Sequence, residues 1–544
     1  MKPITLLGLG INSGNPTVTA QERVNCYTET IKTGENVSRT VAYGTPGLLL
    51  FADLGINPIR GEYSYNDYGY VVQNNNFYQV ANDGTYSNKG MITTLTGYVG
   101  MACNGAQLLV SDSSLTGHIY EIRSDTVVTI SNASPAVVTW VSHNMPVSAG
   151  MKFTTTGGMP TGLTASTVYY IESVLDADTF TLSATQGGAA INTTSIYVGV
   201  ITASTVLYPI VDADYPRLET VDFMDGYFIG NELATQKYYI SGLYAGTGWN
   251  ALDFASAEGS PDLLVAVKAD RGAVYLLGTY TTELIANSGA EDFPFSRVGV
   301  PSDWGLMARD SVAKITGGIL LLGRNKLGQA QVVMMSGSSG KAISTPDVDR
   351  LINERASLSA ATAFSYMQGG HEFYQLNLSD KSFLYDATEG AWHTVESYNI
   401  GRHRADSSFL LVNKVIVSDY ANGKLYVLDK GTYTDNSDPI VTKIIGSHIF
   451  NGADFISLNE IDVEMGVGVG LTSGQGSDPQ IMLQISKDGG QTWGNERWTT
   501  FGMTGQYKTL VRFNRIGRAY NITVKLAISD PVPRCILAAY ARAA

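Results

Sequence analysis

The chain has few of the residues on which most chemistry depends. Its 544 residues include three cysteines (Cys26, Cys103 and Cys535) and six histidines, and charged residues make up only 16%. Three cysteines, far apart and odd in number, define neither a disulfide framework nor a zinc site, and they suit assembly in a reducing cytoplasm. The histidines (His118, His143, His371, His393, His403, His448) show no metal-ligand spacing. His371-Glu372 looks like the start of a zinc-protease motif, but Gln375 stands where the second histidine is needed. Gly340-Lys341 makes no phosphate loop, because Met335 and Ala342 occupy the flanking motif positions. A G-x-S-x-G elbow is also missing. No catalytic residue, metal or cofactor is therefore expected. Basic charge is scarce as well: 36 Lys and Arg against 49 Asp and Glu leave a net charge of −13. Without clustered cations a specific grip on nucleic acid through counterion release is disfavoured. No run approaches ~18 uninterrupted apolar residues. The apolar stretch near the start is too short for a signal peptide, so neither a membrane span nor a leader is expected.

Glycine and tyrosine are plentiful, at 58 and 31 residues, and hydrophobic residues reach 44%. Glycine supplies the positive φ of tight turns and tyrosine suits half-buried pleated surfaces, so many short strands are expected. Period-2 alternation dominates. One helix is predicted to start at Ser344 or Thr345, with Pro346 in its first turn and Val348, Leu351 and Ile352 on one face. The rest reads as hairpins. Tyr68–Val80 turns at Asn74-Asn75-Asn76, and similar units begin near Gln107, Gly226, Gly272, Gly318, His371 and Lys414. In the last, Asn422-Gly423 signals a type I′ turn. The units recur every ~40–55 residues once one insertion is set aside, the spacing of propeller blades. Six or seven blades fit, and a row of sandwiches is the competing all-β arrangement.

The expected fold class is all-β: a β-propeller body, an inserted small β-domain and a C-terminal β-sandwich. The boundaries read as 1–124 (N-terminal segment and first blades), 125–202 (inserted domain), 203–439 (remaining blades) and 440–544 (sandwich). The insertion is rich in Thr, Ser, Ala and Gly, with strands at Val137–Val141, Val168–Val174 and Thr179–Ser183. The sandwich is marked by longer strands at Ile456–Met465, Ile481–Ser486, Lys508–Phe513 and Tyr520–Ile528.

Two local patterns stand out. Ser486-Lys487-Asp488-Gly489-Gly490-Gln491-Thr492-Trp493 matches the Asp-box pattern S-x-D-x-G-x-T-W of sialidases and other propellers. Asp488 can accept backbone N–H bonds across a hairpin turn, Gly490 can take a positive φ, and Trp493 can pack on the sheet below. The structural residues of this box are Ser486, Asp488, Gly490, Thr492 and Trp493. The other pattern is Arg512, Arg515 and Arg518 in RFNRIGR, either an intersubunit or DNA contact or a solvated strand and turn with routine surface pairs. A glycosidase would need paired carboxylates in a cleft, which one sequence neither locates nor excludes. The Asp box occurs once, whereas sialidases usually repeat it.

Several ordered blocks together resemble the packaged-DNA stabilisation, or tail hub (nozzle), family of short-tailed bacteriophages. They are Arg23-Val24-Asn25-Cys26-Tyr27, Thr45-Pro46-Gly47-Leu48, Asp292-Phe293-Pro294-Phe295, Ile343-Ser344-Thr345, and the Asp box with Asn495-Glu496-Arg497-Trp498. Arg515-Ile516-Gly517-Arg518 and Ser529-Asp530-Pro531-Val532 complete the set. The insertion, with His143-Asn144-Met145, Phe153-Thr154-Thr155, Tyr169-Tyr170-Ile171 and Asp178–Ser183, is similar to a small β-module found in diverse phage structural proteins. The resemblance implies a non-enzymatic virion protein, assembled in the host cytoplasm. Its subunits would form a ring, usually a hexamer, below the portal and adaptor. Such a ring continues the DNA channel, retains the genome and attaches spikes, fibres or a plug, while double-stranded DNA passes without specific binding. The alternatives are a glycan-binding or glycan-cleaving tail protein of sialidase-like fold and a receptor-binding fibre. Six-fold against three-fold symmetry separates them best.

Overall fold

In the sequence each hairpin unit is a pair of apolar strands, and in the fold each pair forms the inner half of an antiparallel sheet. The computed structural model describes residues 2–8, 10–11, 14–16, 18–34, 37–452 and 454–543. Seven such sheets occur among them. Inner strands are paired on both edges and covered on both faces, so their residues are apolar almost throughout. Gly318–Arg324 shows this, with Ile319, Leu320, Leu321 and Leu322 fully buried. Outer strands such as Ile59–Tyr65 and Tyr86–Met91 are mostly half-buried or exposed and carry a weaker pattern.

The chain divides into two compact units. Gly55–Gly305 holds four of the blade sheets, each of four strands. One of them runs Gly100–Cys103, Gln107–Ser111 and His118–Glu121, and takes its fourth strand, Tyr208–Pro209, from beyond an inserted barrel. The barrel closes through Thr126–Ile130, Val137–Thr139, Thr179–Ser183, Val168–Val174, Gly150–Thr155 and Ile201–Thr205. Met151, Phe153, Phe180, Leu182 and Ile201 fill its core. His143 is buried there: its Nδ1 accepts from the Met145 N–H at 3.1 Å and its ring packs edge-on to Phe180.

The second unit comprises Met1–Leu54 and Leu306–Ala544 and contains the other three blade sheets with the sandwich. Its last blade, Ala405–Leu411, Lys414–Asp419 and Lys424–Asp429, is completed by Gly47–Asp53 from the N-terminal region, antiparallel with Leu48 opposite Leu428. The turn at Asn422-Gly423 is not type I′, for neither residue has positive φ. Instead Asp419 and Asn422 side chains accept the Ala421 and Lys424 N–H groups, bracing a longer loop. The helix is Pro346–Asn353, capped by Thr345, with Val348 and Ile352 fully buried.

The sandwich extends beyond residues 440–544. One sheet continues from the blade strand Ala391–Val395 through Glu22–Val24 and Thr442–Ile445 to Asn521–Ile528, Gln480–Ser486 and Arg497–Thr500. The other runs Cys26–Gly34, Val37–Gly44, Cys535–Ala543, Ile456–Met465 and Val511–Ala519. N-terminal strands thus complete both sheets, which residue order alone could not reveal. Ile461, Leu483, Phe501, Ile522 and Val524 are fully buried between them. No helix among the described residues is long and apolar enough to cross a membrane.

Candidate functional site

The Asp box joins two neighbouring sandwich strands, Gln480–Ser486 and Arg497–Thr500. Ser486, fully buried at the end of the first, donates its hydroxyl to Asp488 Oδ1 at 2.6 Å. Ser486 Oγ itself accepts the Gly490 N–H at 2.7 Å. Asp488 then accepts the Thr492 N–H at 2.9 Å and the Thr492 hydroxyl. These bonds, that from Ser486 foremost, lower its carboxyl to about 2. Gly489 and Gly490 both sit at positive φ, 74° and 91°, and a Cβ on Gly490 would lie 2.6 Å from Ala20 Cβ. Trp493 lies beneath the Lys525 ammonium, 4.5 Å from the ring centroid, on the adjoining strand. Ser486, Asp488, Gly490 and Thr492 thus bond to one another across the turn, while Trp493 meets Lys525.

The arginine run is one bulged strand, Val511–Ala519, and not a strand followed by a turn. Arg515 takes a left-handed φ of 58° at the irregularity. The structure separates the three side chains by role. Arg512 grips Asp462 with two parallel bonds, Nε to Oδ1 at 2.5 Å and Nη2 to Oδ2 at 2.7 Å, with Glu460 3.7 Å away. That aspartate holds the guanidinium more firmly protonated. Arg518 lies over the Phe455 ring at 4.4 Å, and Phe455 stacks on Tyr520 at 3.7 Å between centroids. Arg515 is exposed, and its carbonyl accepts from Arg497 at 2.9 Å.

The Arg23-Val24-Asn25 block proves to be a joint between blade and sandwich strands, a role its residue types do not announce. Asn25 is buried at a left-handed φ of 56°. Its amide donates to the carbonyls of Glu396 and Val441 at 2.9 and 3.0 Å and accepts the Glu396 N–H at 2.9 Å. Its own carbonyl accepts from Thr45 and Thr442. Gly47 of the next block has to be glycine, because a Cβ would stand 2.4 Å from the Thr432 carbonyl.

His371 belongs to a strand, His371–Asn377, and pairs with the buried Asp386 at 2.7 Å. Among the described residues no group of three or more His, Cys, Asp or Glu side chains could hold a metal ion. The three cysteines are free.

The fold and these sites define a class: an all-β chain of propeller followed by sandwich, whose distinctive residues brace turns and joints. Residues 148–433 match the family model described as the β-propeller of bacteriophage P22 Gp10, and residues 442–544 match that described as its β-sandwich. The chain belongs to this family, the packaged-DNA stabilisation proteins of the phage tail hub, and is a structural component of a phage tail. No curated protein matches. Similar solved structures include the computationally designed Ika8 protein, 9% identical over 70% of this chain and 99% of that one, with TM-score 0.34. The WD40 propeller domain of Doa1 is 10% identical over 70% and 96%, TM-score 0.32, and BamB from Moraxella catarrhalis 8% over 68% and 93%, TM-score 0.32.

Proposed function

We propose that the chain is the ring-forming hub, or nozzle, subunit of a short phage tail. The ring is a hexamer beneath the portal and its adaptor. It continues the DNA channel, helps to retain the packaged genome and offers attachment for spikes, fibres or a plug. The observation that supports this is the presence of both family domains, in order, over residues 148–433 and 442–544 of one chain. The role is structural and not catalytic. A passive conduit needs stable interfaces and a wall to which DNA does not stick, and a net charge of −13 per copy suits that wall. Assembly takes place in the host cytoplasm, before the tail joins the virion. With Arg512 committed to Asp462, Arg515 and Arg518 are the arginines of the run available to a neighbouring subunit or to DNA.

Negative-stain images of the purified protein and of virion tails test the reading. Six-fold rings are expected in both. Three-fold particles would point to a fibre or spike, and sugar released from sialosides or host polysaccharide would replace the structural role with an enzymatic one.

A further inference from the structure

A cleft of about 280 Å³ opens in the unit that contains the sandwich, with Tyr27, Tyr43, Gly44, Lys430, Tyr433 and Arg534 in its lining. Arg534 is only 4% exposed. Its Nη1 donates to the Ile440 carbonyl at 2.8 Å and to the Thr442 hydroxyl at 3.2 Å. Its Nε and Nη2 are buried and have no hydrogen-bond partner. Those two nitrogens form one edge of the guanidinium fork, the geometry that fits the two oxygens of a carboxylate.

At three other arginines the same edge is filled by a carboxylate. Arg309 grips Asp310 through Nε and Nη2 at 2.8 and 3.0 Å. Arg355 grips Asp380 at 2.8 and 2.9 Å, and Arg512 grips Asp462 as described. Arg534 alone among these four lacks its carboxylate. The titratable groups that bear on it are Cys26, whose thiol burial pushes up to about 11, and the Tyr433 phenol. Burial draws the Arg534 guanidinium down to about 10, as expected of a cation without a counter-ion.

The surroundings favour an anion. Lys430 is exposed on the lining and adds a second positive charge, against the one acid, Glu29. Gly44 lets its backbone pack close against the fork, for a Cβ there would stand 2.9 Å from Arg534 Nε. The Lys430 ammonium lies over Gly369, 1.9 Å from where a Cβ would be, so a long flexible side chain covers this part of the lining.

We propose that the cleft is a carboxylate-binding site in which the free edge of Arg534 takes both oxygens and Lys430 draws the anion in. A planar two-oxygen group matches that edge, and Glu29 in the wall repels the more concentrated charge of a phosphate dianion. The carboxylate can come from a free small acid or from an acidic side chain of a polypeptide.

The test uses the full-length protein and calorimetric titration. The probes are sodium acetate and sodium succinate against matched sodium chloride, and the capped peptide acetyl-Gly-Asp-Gly-amide against its Asn counterpart. Saturable binding of the carboxylates beyond the chloride control is expected. Arg534→Lys keeps the charge but loses the fork, and should weaken binding on the order of tenfold or more. Gly44→Ala, which leaves Arg534 in place and crowds its edge, should weaken it too, and Lys430→Gln should weaken it less. If Arg534→Lys does not fold, the Gly44 and Lys430 variants carry the test, with circular dichroism as control. Tighter binding of the peptide than of the free acids assigns the site to a protein partner, and the reverse assigns it to a small acid. Binding no stronger than chloride, or binding unchanged in Gly44→Ala and Lys430→Gln, would overturn the proposal.

Discussion

Asn25 and Asp488 both organise backbone through a side chain, yet they do so in opposite surroundings, and their substitutions should behave differently. Asn25 is buried and serves three backbone groups from the segments at Glu396 and Val441. Asn25→Ala should cost about 2–4 kcal/mol, the sum of unpaired backbone groups and a left-handed residue with a Cβ. Asn25→Gly removes the second penalty and should recover roughly 1 kcal/mol, which denaturant melts can resolve. Asp488 is exposed, so Asp488→Ala should lower the melting temperature modestly without touching any ligand affinity. Acid should act in two windows. Burial lowers His118 to about 4, so the stability it contributes is complete above its unfolded value near 6.5 and is lost as pH falls through 4. Asp488 is lowered from 3.8 to about 2, so its contribution is complete above pH ~4 and disappears only as pH falls through 2. Melting curves from pH 7 to 2 should therefore decline first through the histidine window. In Asp488→Ala the later decline should shrink and the earlier one persist.

Among the elements, the inner hairpins were legible because burial on both faces makes their residues apolar without regard to distant partners. Outer strands were not, since Tyr86–Met91 is largely exposed and Gly47–Asp53 pairs with residues almost 400 positions later. The Asp box could be read from eight residues because its bonds close within the turn. The Asp462 partner of Arg512 lies 50 residues away, and the Arg534 cleft draws on five separate segments, so neither left a local trace. Asn422-Gly423 misled because the loop is braced by side chains and not by two positive φ angles. The barrel gives the element-scale prediction. Ile119 pairs with Tyr208 on the two sides of it, which places its entry and exit on adjacent strands. Replacing 125–202 with a short Gly-Ser linker should leave the remaining β-structure folded, as read by circular dichroism and a cooperative melt. Aggregation of the deletion would show that the module is part of the core.

At the scale of the proposed hexamer, six copies at −13 each would carry −78. If part of that charge lines the lumen, DNA is repelled within a Debye length of ~8 Å and nothing on the wall retards it. Retention then falls to a plug or constriction. The isolated ring should show negligible duplex binding at about 50 mM salt, where any cationic surface binds most strongly. Tight binding that weakens steeply with added salt would contradict the repulsive wall, and Arg515→Ala and Arg518→Ala would show whether the exposed arginines cause it.

The strand Gly47–Asp53, which completes the last blade against Lys424–Asp429, sets a clock on synthesis. At ribosomal rates the wait between making Leu48 and making Leu428 is on the order of 20–80 s. For most of that time the segment Gly-Leu-Leu-Leu-Phe has left the tunnel while its native partner strand has still to be made. A nascent neighbour on the same message carries the matching edge, Lys424–Asp429, and could accept it. Crowded translation would then favour chains linked by exchanged strands, so the yield of closed subunits should depend on how densely ribosomes load the message.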